Sequence, residues 1–237
     1  MSSTTTTGRS KPEQEHERGW GTRTVLVIVT WAVLCGLVIG WGWLLTHSLE
    51  KSIEPTDDDI SRWFAAQREP TLTDAADAGT FLGETLVGAS TFAVICLVVA
   101  AVRRTWRPLI LLAVVEAGLG GFYFFGTELV PRDRPPVKLL DAGLVPDASY
   151  PSGHVATALV CWAGTVLLVW TYFRAARWVA LLLLLLPLFT LLSRLYLGAH
   201  YLTDALTSVV YAGIWLLAVA RQVLPRVSTG STGDHVA

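Results

Sequence analysis

The chain has 237 residues, of which 52% are hydrophobic and only 16% are charged. A soluble globular protein carries roughly 25% charged residues, so this deficit and a mean hydropathy of +0.50 indicate an integral membrane protein. The formal net charge of -1 gives no support to nucleic-acid binding. The three cysteines lie in apolar runs without metal-site spacing, which predicts buried free thiols and no disulfide.

The sequence divides into two polar ends and a long apolar middle. Residues 1–22 predict a disordered leader and residues 225–237 a disordered tail, because both are polar and of mixed charge. The domain between them, 23–224, contains apolar segments of the roughly 20 residues that cross a bilayer. There are six, near 24–46, 83–102, 108–127, 153–173, 178–197 and 203–223. The predicted fold class is therefore all-α, an integral membrane bundle of six transmembrane helices.

Lysine and arginine set the predicted orientation, because loops rich in them stay in the cytoplasm. They occur in the leader, in the loops at 103–107 and 174–177, and in the tail. With six spans, these places all fall on one side of the membrane, so both termini are predicted to be cytoplasmic. The protein is then a multi-pass protein of the cell membrane whose remaining loops face outside.

The first outer loop, 48–80, is acidic and predicts a short helix of its own. Its run of aspartates at 57–59 is suited to cap a helix that places Ile60, Trp63 and Phe64 on one face. Such a helix is expected to lie on the outer membrane surface. Interfacial anchoring is the favoured role, and substrate gating is the alternative.

The next outer loop ends in a helix start that is suited to bind an anion. Pro151 keeps the fourth span from starting earlier, and Ser152 is a good N-cap for it. The N–H groups of Gly153 and His154 would then point at an anion, helped by the helix dipole. His154 stands in the first turn, where it can give or take a proton beside the bound group.

The last outer loop carries an arginine, a histidine and an aspartate, all of which are costly in lipid. Arg194 supplies a planar guanidinium suited to phosphate. If residues 201–204 are helical, His200 and Asp204 stand four apart on one face. The carboxylate could then hold one tautomer of His200 and leave the other ring nitrogen free as a nucleophile.

These blocks resemble the signature of the phosphatidic acid phosphatase type 2 superfamily. That signature is a Lys, six residues and Arg-Pro, then Pro-Ser-Gly-His, then Ser-Arg, five residues, His, three residues and Asp. The second block is complete at residues 151–154 and the third at residues 193–204, while the first is matched by Arg134 and Pro135 alone. Order, spacing and span number agree, so the resemblance covers roughly residues 24–223.

The chain departs from the family at the lysine of the first block, which would fall at Thr127. Threonine donates a hydrogen bond but brings no charge. Arg132 is the predicted replacement, because it lies two residues before Arg134 in a proline-flanked, extended stretch where alternate side chains share a face. Lys138 is a weaker candidate, and pairing of Arg132 with Asp133 or a headgroup is the alternative.

The resemblance implies a phosphoryl transfer that needs neither a metal nor a cofactor. His200 would attack phosphorus, Asp204 would orient it, and His154 would protonate the leaving oxygen and then activate water. The groups implied to bind the phosphoryl oxygens are Arg134, Arg194, Ser152, the Gly153 N–H and, in place of the lysine, Arg132. No carboxylate cluster suited to Mg²⁺ accompanies them.

The substrate implied by the resemblance is a lipid phosphate or diphosphate in the membrane. The candidates are an isoprenoid diphosphate such as the undecaprenyl carrier, phosphatidic acid and phosphatidylglycerol phosphate. The isoprenoid diphosphate is favoured because an outward site suits recycling of a carrier released there. Two alternatives stay open: transfer of the phosphoryl group to an acceptor other than water, and a non-catalytic lipid-phosphate binder or transporter.

One charged residue is left without a predicted role. Glu116 lies in the middle of the third span. It could pair with a polar group of the bundle or line an aqueous cleft, and nothing in the sequence favours either.

Overall fold

Helices account for nearly all of the regular structure. The computed structural model describes residues 19–225, and no β-strand occurs within them. In chain order the α-helices are α1 (Trp20–Thr46), α2 (Glu50–Ala66), α3 (Pro70–Phe81), α4 (Thr85–Arg103), α5 (Arg107–Leu129), α6 (Gly153–Tyr172), α7 (Arg177–Ala180), α8 (Leu185–Tyr196) and α9 (Leu202–Val223).

Six helical segments of the described chain are long and apolar enough to span a membrane. They are α1, α4, α5, α6, the stretch Arg174–Tyr196 and α9. This confirms the predicted all-α bundle of six candidate transmembrane helices. The end of the bundle at which α5 ends and α6 begins is called the site end below, and α2 and α3 lie there too.

The fifth span is broken in its middle. Between α7 and α8 the leucine run Leu181–Leu184 forms a 3₁₀ turn. Pro187 explains the break, because it lacks the N–H that would bond to residue 183 and is tolerated only in the first turn of a helix. It occupies the first turn of α8.

Helix α2 differs from the prediction in where it begins and which side it buries. It starts at Glu50, so the aspartates at 57–59 lie inside it and do not cap it. Its buried side carries Asp57 and Ser61, while Trp63 is 60% exposed. A buried aspartate requires a cation or donors, and the site supplies both.

The sequence did not predict α3, which supports the motif-bearing end of the fifth span. Thr190 of α8 donates its hydroxyl proton to the Gly79 carbonyl at 2.8 Å. Gly79 also lies against Ser193, in space that a side chain at position 79 would fill. The contacts of Gly79 with Thr190 and Ser193 position this end of α8, which also carries the next residue, Arg194.

The main core lies between α1, α4, α5, α6 and α9. Trp215 is its largest completely buried side chain, and its indole N–H donates to the Val115 carbonyl at 3.1 Å. The indole lies directly on Gly118, where a Cβ has no room. Close packing over small residues is how helices associate in a membrane.

The predicted disordered ends fall mostly outside the described residues, which exclude 1–18 and 226–237. Residues 20–22, predicted as part of the leader, belong to α1 instead. The first helix therefore starts slightly earlier than the apolar run of the sequence indicates.

Substitution of Gly118 tests the packing of α5 on α9. Gly118→Ala should destabilise the protein by about 1–3 kcal/mol, because the new methyl group overlaps the Trp215 indole. Gly120→Ala is the matched control: it lies on the same helix with no atom within 4 Å of the added Cβ, and alanine is the better helix former. Thermal unfolding in detergent should show a lower midpoint for Gly118→Ala only, and equal midpoints would contradict the packing described.

Candidate active site

A cavity of about 260 Å³ lies between α4, α5, α6 and α9 and begins at the site end. Four of the predicted site residues line it, namely Arg134, Gly153, His154 and His200. The lining that comes from the membrane-spanning part includes Glu116 and Tyr211. Among residues 19–225, no group of three or more His, Cys, Asp or Glu side chains is arranged to hold a metal ion.

Helix α6 presents its N-terminus to this cavity. Ser152 is its N-cap, and the buried hydroxyl accepts a hydrogen bond from the Val155 N–H at 3.5 Å, which confirms the predicted cap. Gly153 lies against the Tyr123 ring, where an added Cβ would come within 3.1 Å of a ring carbon. The ring of His154 lines the cavity and makes no hydrogen bond to any other described residue. The positive end of the α6 dipole and the His154 imidazole therefore both face the cavity.

His200 lies in the turn before α9 and not on that helix. Gly198 makes the turn possible with a φ of +73°, in the region that favours glycine. The helix starts after Tyr201, its N-cap, so the expected contact of His200 with Asp204 on one helical face is wrong. Instead, Nδ1 of His200 lies 2.6 Å from the Ser149 carbonyl oxygen. A carbonyl only accepts hydrogen bonds, so Nδ1 carries the proton and Nε2 keeps a free lone pair.

Asp204 is completely buried and binds three donors. Its Oδ2 accepts from the Ser149 hydroxyl at 2.6 Å and from the Tyr201 N–H at 3.0 Å. Its Oδ1 accepts from Nη1 of Arg132 at 2.5 Å. Ser149 donates to Asp204 from its side chain and accepts from His200 with its backbone carbonyl. Asp204 therefore positions His200 indirectly, by holding Ser149 in place.

Arg132, the predicted replacement for the missing lysine, forms ion pairs with two buried carboxylates. Its Nη2 donates to Asp57 Oδ2 at 3.0 Å while its Nη1 is held by Asp204 and by the Thr203 hydroxyl at 2.8 Å. Its guanidinium stacks on the Tyr201 ring at 4.2 Å, and Arg132 does not line the cavity that contains the histidines. Two buried carboxylates require a cation, and this arginine supplies it.

Neither Thr127, the position of the missing lysine, nor Lys138, the weaker candidate for a substitute cation, lines the cavity. The Thr127 hydroxyl donates back along its own helix, to the carbonyls of Tyr123 and Phe124 at 3.0 and 3.2 Å. Lys138 is exposed, and its role in the structure is that its carbonyl accepts from Arg68 at 2.7 Å.

Arg194 is a completely buried arginine with one unused edge. Its Nη1 forms an ion pair with Asp141 at 2.5 Å. Its Nε and Nη2 have no hydrogen-bond partner among residues 19–225. These two nitrogens form the side of a guanidinium that binds a carboxylate or phosphate through two parallel bonds.

Arg134 joins the loop after α5 to the turn that holds His200. It donates to three backbone carbonyls: from Nη1 to Ala199 at 2.5 Å, from Nε to Val145 at 2.8 Å and from Nη2 to Ala148 at 3.1 Å. Carbonyls do not neutralise its charge, so Arg134 contributes a full positive charge to the cavity that it lines.

Burial and two nearby positive charges keep His200 neutral. Burial lowers its pKa well below the ordinary value of 6.5, and the positive charges of Arg194 and Arg134 lower it further. At neutral pH the ring is therefore an uncharged imidazole whose Nε2 can act as a nucleophile.

Sequence reasoning missed Ser149, Asp141 and Asp57. Ser149 acts largely through its carbonyl, which no side-chain motif encodes. Asp57 and Asp141 lie 75 and 53 residues from the arginines that they bind. A buried arginine needs a carboxylate partner. That requirement predicts that an Asp or Glu lies beside Arg132 and Arg194, but it does not predict which one.

Comparison with known proteins identifies the family of the chain. The family model described as the PAP2 superfamily matches residues 108–228, about half of the chain, which contain α5 to α9 and both complete motifs. The chain belongs to the PAP2 superfamily. No curated protein sequence matches it significantly.

A solved structure shares the fold. It is described as the crystal structure of the first transmembrane PAP2 type phosphatidylglycerolphosphate phosphatase from Bacillus subtilis. The TM-score is 0.66 at 20% sequence identity, over 84% of this chain and 94% of that chain. The likeness confirms a PAP2 membrane phosphatase fold.

The titration of His200 tests the electrostatics of the site. Nuclear magnetic resonance of protein with ¹⁵N-labelled histidine should show the Nδ1–H tautomer and a pKa well below 6.5. Arg194→Gln should raise that pKa, because one of the two positive charges is removed. The unfolded state protonates His200 at a higher pH than the folded state does. The free energy of unfolding should therefore also decrease as the pH drops below 6.5. Arg221→Gln, at the opposite end of α9, is the control. An unshifted pKa in Arg194→Gln would contradict the proximity of the two groups.

Proposed function

We propose that this protein is a membrane phosphatase that removes phosphate from a lipid phosphate or diphosphate through a phosphohistidine on His200. The observation that carries the proposal is the unpartnered Nε and Nη2 edge of buried Arg194, beside a histidine kept neutral with Nε2 free. A buried guanidinium without a second partner is costly in a protein interior. A phosphoryl group supplies the missing acceptors.

The first step forms a covalent bond between enzyme and substrate. Nε2 of His200 donates its lone pair to phosphorus while the bond from phosphorus to the lipid oxygen breaks. His154, in its protonated form, gives its proton to that leaving oxygen, and the lipid alcohol or monophosphate departs. The Ser149 carbonyl holds the Nδ1 proton of His200 and so stabilises the positive charge that develops on the ring.

The second step regenerates the enzyme. His154, now neutral, takes a proton from a water molecule whose oxygen attacks phosphorus. The bond from phosphorus to Nε2 breaks, inorganic phosphate leaves and His200 returns to its starting tautomer. Asp204 has a positioning role in both steps, because it holds Ser149 and, with it, the carbonyl that orients His200.

The negative charge of the transferring group is met by two guanidinium groups and a helix terminus. Arg194 offers its free edge, Arg134 its charge, and α6 the N–H groups of Gly153 and His154 beside the Ser152 cap. Electrostatic stabilisation of this kind commonly contributes more to phosphoryl transfer than any other single effect. It requires no metal or cofactor in this proposal.

The proposed substrates are lipids in the membrane that surrounds the bundle. Phosphatidylglycerol phosphate, phosphatidic acid and an isoprenoid diphosphate all present a phosphate at the bilayer surface with a tail for the membrane. The activity named for the neighbouring Bacillus subtilis structure supports a glycerol-based lipid. The arginines at the end opposite the site end support a location in the cell membrane with the site facing outside.

Phosphate release from purified protein in detergent with EDTA tests the proposal. Wild type should release phosphate from at least one of the candidate lipids, and His200→Ala should lower the rate by at least about a thousandfold because the nucleophile is lost. His47→Ala is the matched control, since His47 is an exposed histidine outside the cavity. A short-chain lipid phosphate added outside intact cells should also be hydrolysed, which tests the sidedness.

Three results would count against the proposal. Loss of activity in EDTA would contradict the metal-free mechanism. Full activity of His200→Ala would remove the proposed nucleophile. Tight binding of a lipid phosphate by wild type without any phosphate release would favour a non-catalytic binder or transporter instead.

A further inference from the structure

Helix α2 and the linker 67–69 that joins it to α3 lie outside the six candidate spans of the described chain. They also lie outside residues 108–228, which match the family model. Two of their charged side chains nevertheless contact the segments on either side of His200, namely Asp57 of α2 and Arg68 of the linker. The proposed chemistry uses neither residue, so these contacts require an explanation.

Asp57 holds the start of α9. Its Oδ1 accepts from the Thr203 N–H at 3.3 Å, and its Oδ2 accepts from the Thr203 hydroxyl at 2.5 Å. Thr203 is the second residue of α9, and the first four N–H groups of a helix have no partner inside it. A carboxylate there is also favoured by the positive end of the helix dipole. Asp57 is 2% exposed, so solvent and salt screen the interaction little.

Arg68 holds the end of α8 in the corresponding way. Tyr196 is the last residue of that helix, so its carbonyl has no N–H partner inside the helix. Arg68 donates to this carbonyl from Nε at 3.1 Å and from Nη2 at 3.0 Å, while its Nη1 donates to the Lys138 carbonyl at 2.7 Å. A cation is the favoured charge at the C-terminal end of a helix. The charges of Asp57 and Arg68 therefore suit the two helix ends that they contact.

The turn between these two helix ends is short and carries His200. It comprises residues 197–201, so a movement of either helix end shifts the backbone of His200. Arg68 also packs against the turn itself, because a Cβ added to Gly198 would lie 2.9 Å from its Nη2. The Ser149 carbonyl orients the His200 ring, whereas the turn determines where the backbone of His200 lies.

We propose that Asp57 and Arg68 form a clamp on the turn 197–201 and are positioning residues for the nucleophile. This inference rests on the proposed function. Neither side chain lines the cavity, so neither contacts the substrate. Attack on phosphorus requires Nε2 of His200 within about 3–3.5 Å of it and aligned with the bond that breaks. Fixing both ends of the turn maintains that geometry, so activity depends on α2 and its linker.

The test measures kcat and KM for dioctanoyl phosphatidic acid in detergent micelles with the full-length protein. In Asp57→Asn and in Arg68→Met, kcat should fall by about tenfold to a hundredfold, because an error of about 1 Å in the position of a reacting group can cost that much. KM should stay within about twofold of the wild-type value, since the clamp does not contact the substrate. Arg68→Lys retains the charge and a donor for the Tyr196 carbonyl, so it should restore part of the lost kcat.

Matched controls come from the same helix. Arg62 and Asp59 form an ion pair at 3.1 Å, and both side chains are exposed. Arg62→Met and Asp59→Asn make the same chemical changes away from the turn, so both should keep the wild-type kcat. Thr203→Val is a milder second variant in case Asp57→Asn does not fold. It removes the hydroxyl that contacts Asp57 and should lower kcat about fivefold, as expected for one hydrogen bond.

A spectroscopic measurement separates positioning from a general loss of stability. Nuclear magnetic resonance of folded protein with ¹⁵N-labelled histidine detects the Nδ1 proton of His200, with the signals assigned from the spectrum of His200→Ala. Asp57→Asn and Arg68→Met should shift or broaden this signal, because the proton is bound to the Ser149 carbonyl and the turn has moved. The two control variants should leave it unchanged.

The outcomes distinguish the clamp from the function on which it rests. Wild-type kcat in folded Asp57→Asn and Arg68→Met, or an equal loss of kcat in the controls, would overturn the clamp and leave the phosphatase intact. A raised KM at unchanged kcat would overturn it too, because it would indicate contact with the substrate. If wild type releases no phosphate from any candidate lipid, the phosphatase proposal fails, and the clamp is judged by the His200 spectrum. An unchanged spectrum in both clamp variants would then overturn the clamp independently.

Discussion

A completely buried carboxylate, that of Asp204, determines how the site end is built. An ionised carboxylate without partners in a protein interior costs on the order of several kcal/mol, so the surrounding chain must supply donors. They come from three segments, as the guanidinium of Arg132, the hydroxyl of Ser149 and the N–H of Tyr201. Each donor fixes the segment that carries it. The Ser149 segment includes the carbonyl that sets the tautomer of His200, so the same contacts leave Nε2 free for the proposed role as nucleophile.

The arginines of the site end divide between structure and binding. Arg132 forms ion pairs with Asp57 and Asp204 and so has a structural role. Arg134 directs its hydrogen bonds to carbonyls but keeps its charge beside the cavity. Arg194 alone of these three has buried nitrogens without a hydrogen-bond partner among the described residues, and its ion pair with Asp141 holds that edge in place. In the proposed function, phosphate recognition therefore depends on fewer charges than the family motif provides, and the start of α6 contributes the remaining donors.

Patterns that are local in sequence predicted the structure well, and contacts between distant segments escaped prediction. Hydropathy located the six spans, and the Ser152 cap followed from its position before an apolar run. The expected helical contact of His200 with Asp204 failed because the helix starts after Tyr201, and such boundaries depend on tertiary contacts. The role of Arg132 also required Asp57, 75 residues away, whose burial no local pattern indicates.

The proposed mechanism requires that His200 Nε2 becomes covalently bonded to phosphorus. Rapid acid-free quenching of wild type with a ³²P-labelled lipid phosphate, followed by peptide mapping, detects that bond directly. We expect a base-stable, acid-labile phosphoryl group on the peptide that contains His200, formed at a rate at least equal to phosphate release. Label on a different residue, or phosphate release with no labelled protein at any time during turnover, would contradict the mechanism.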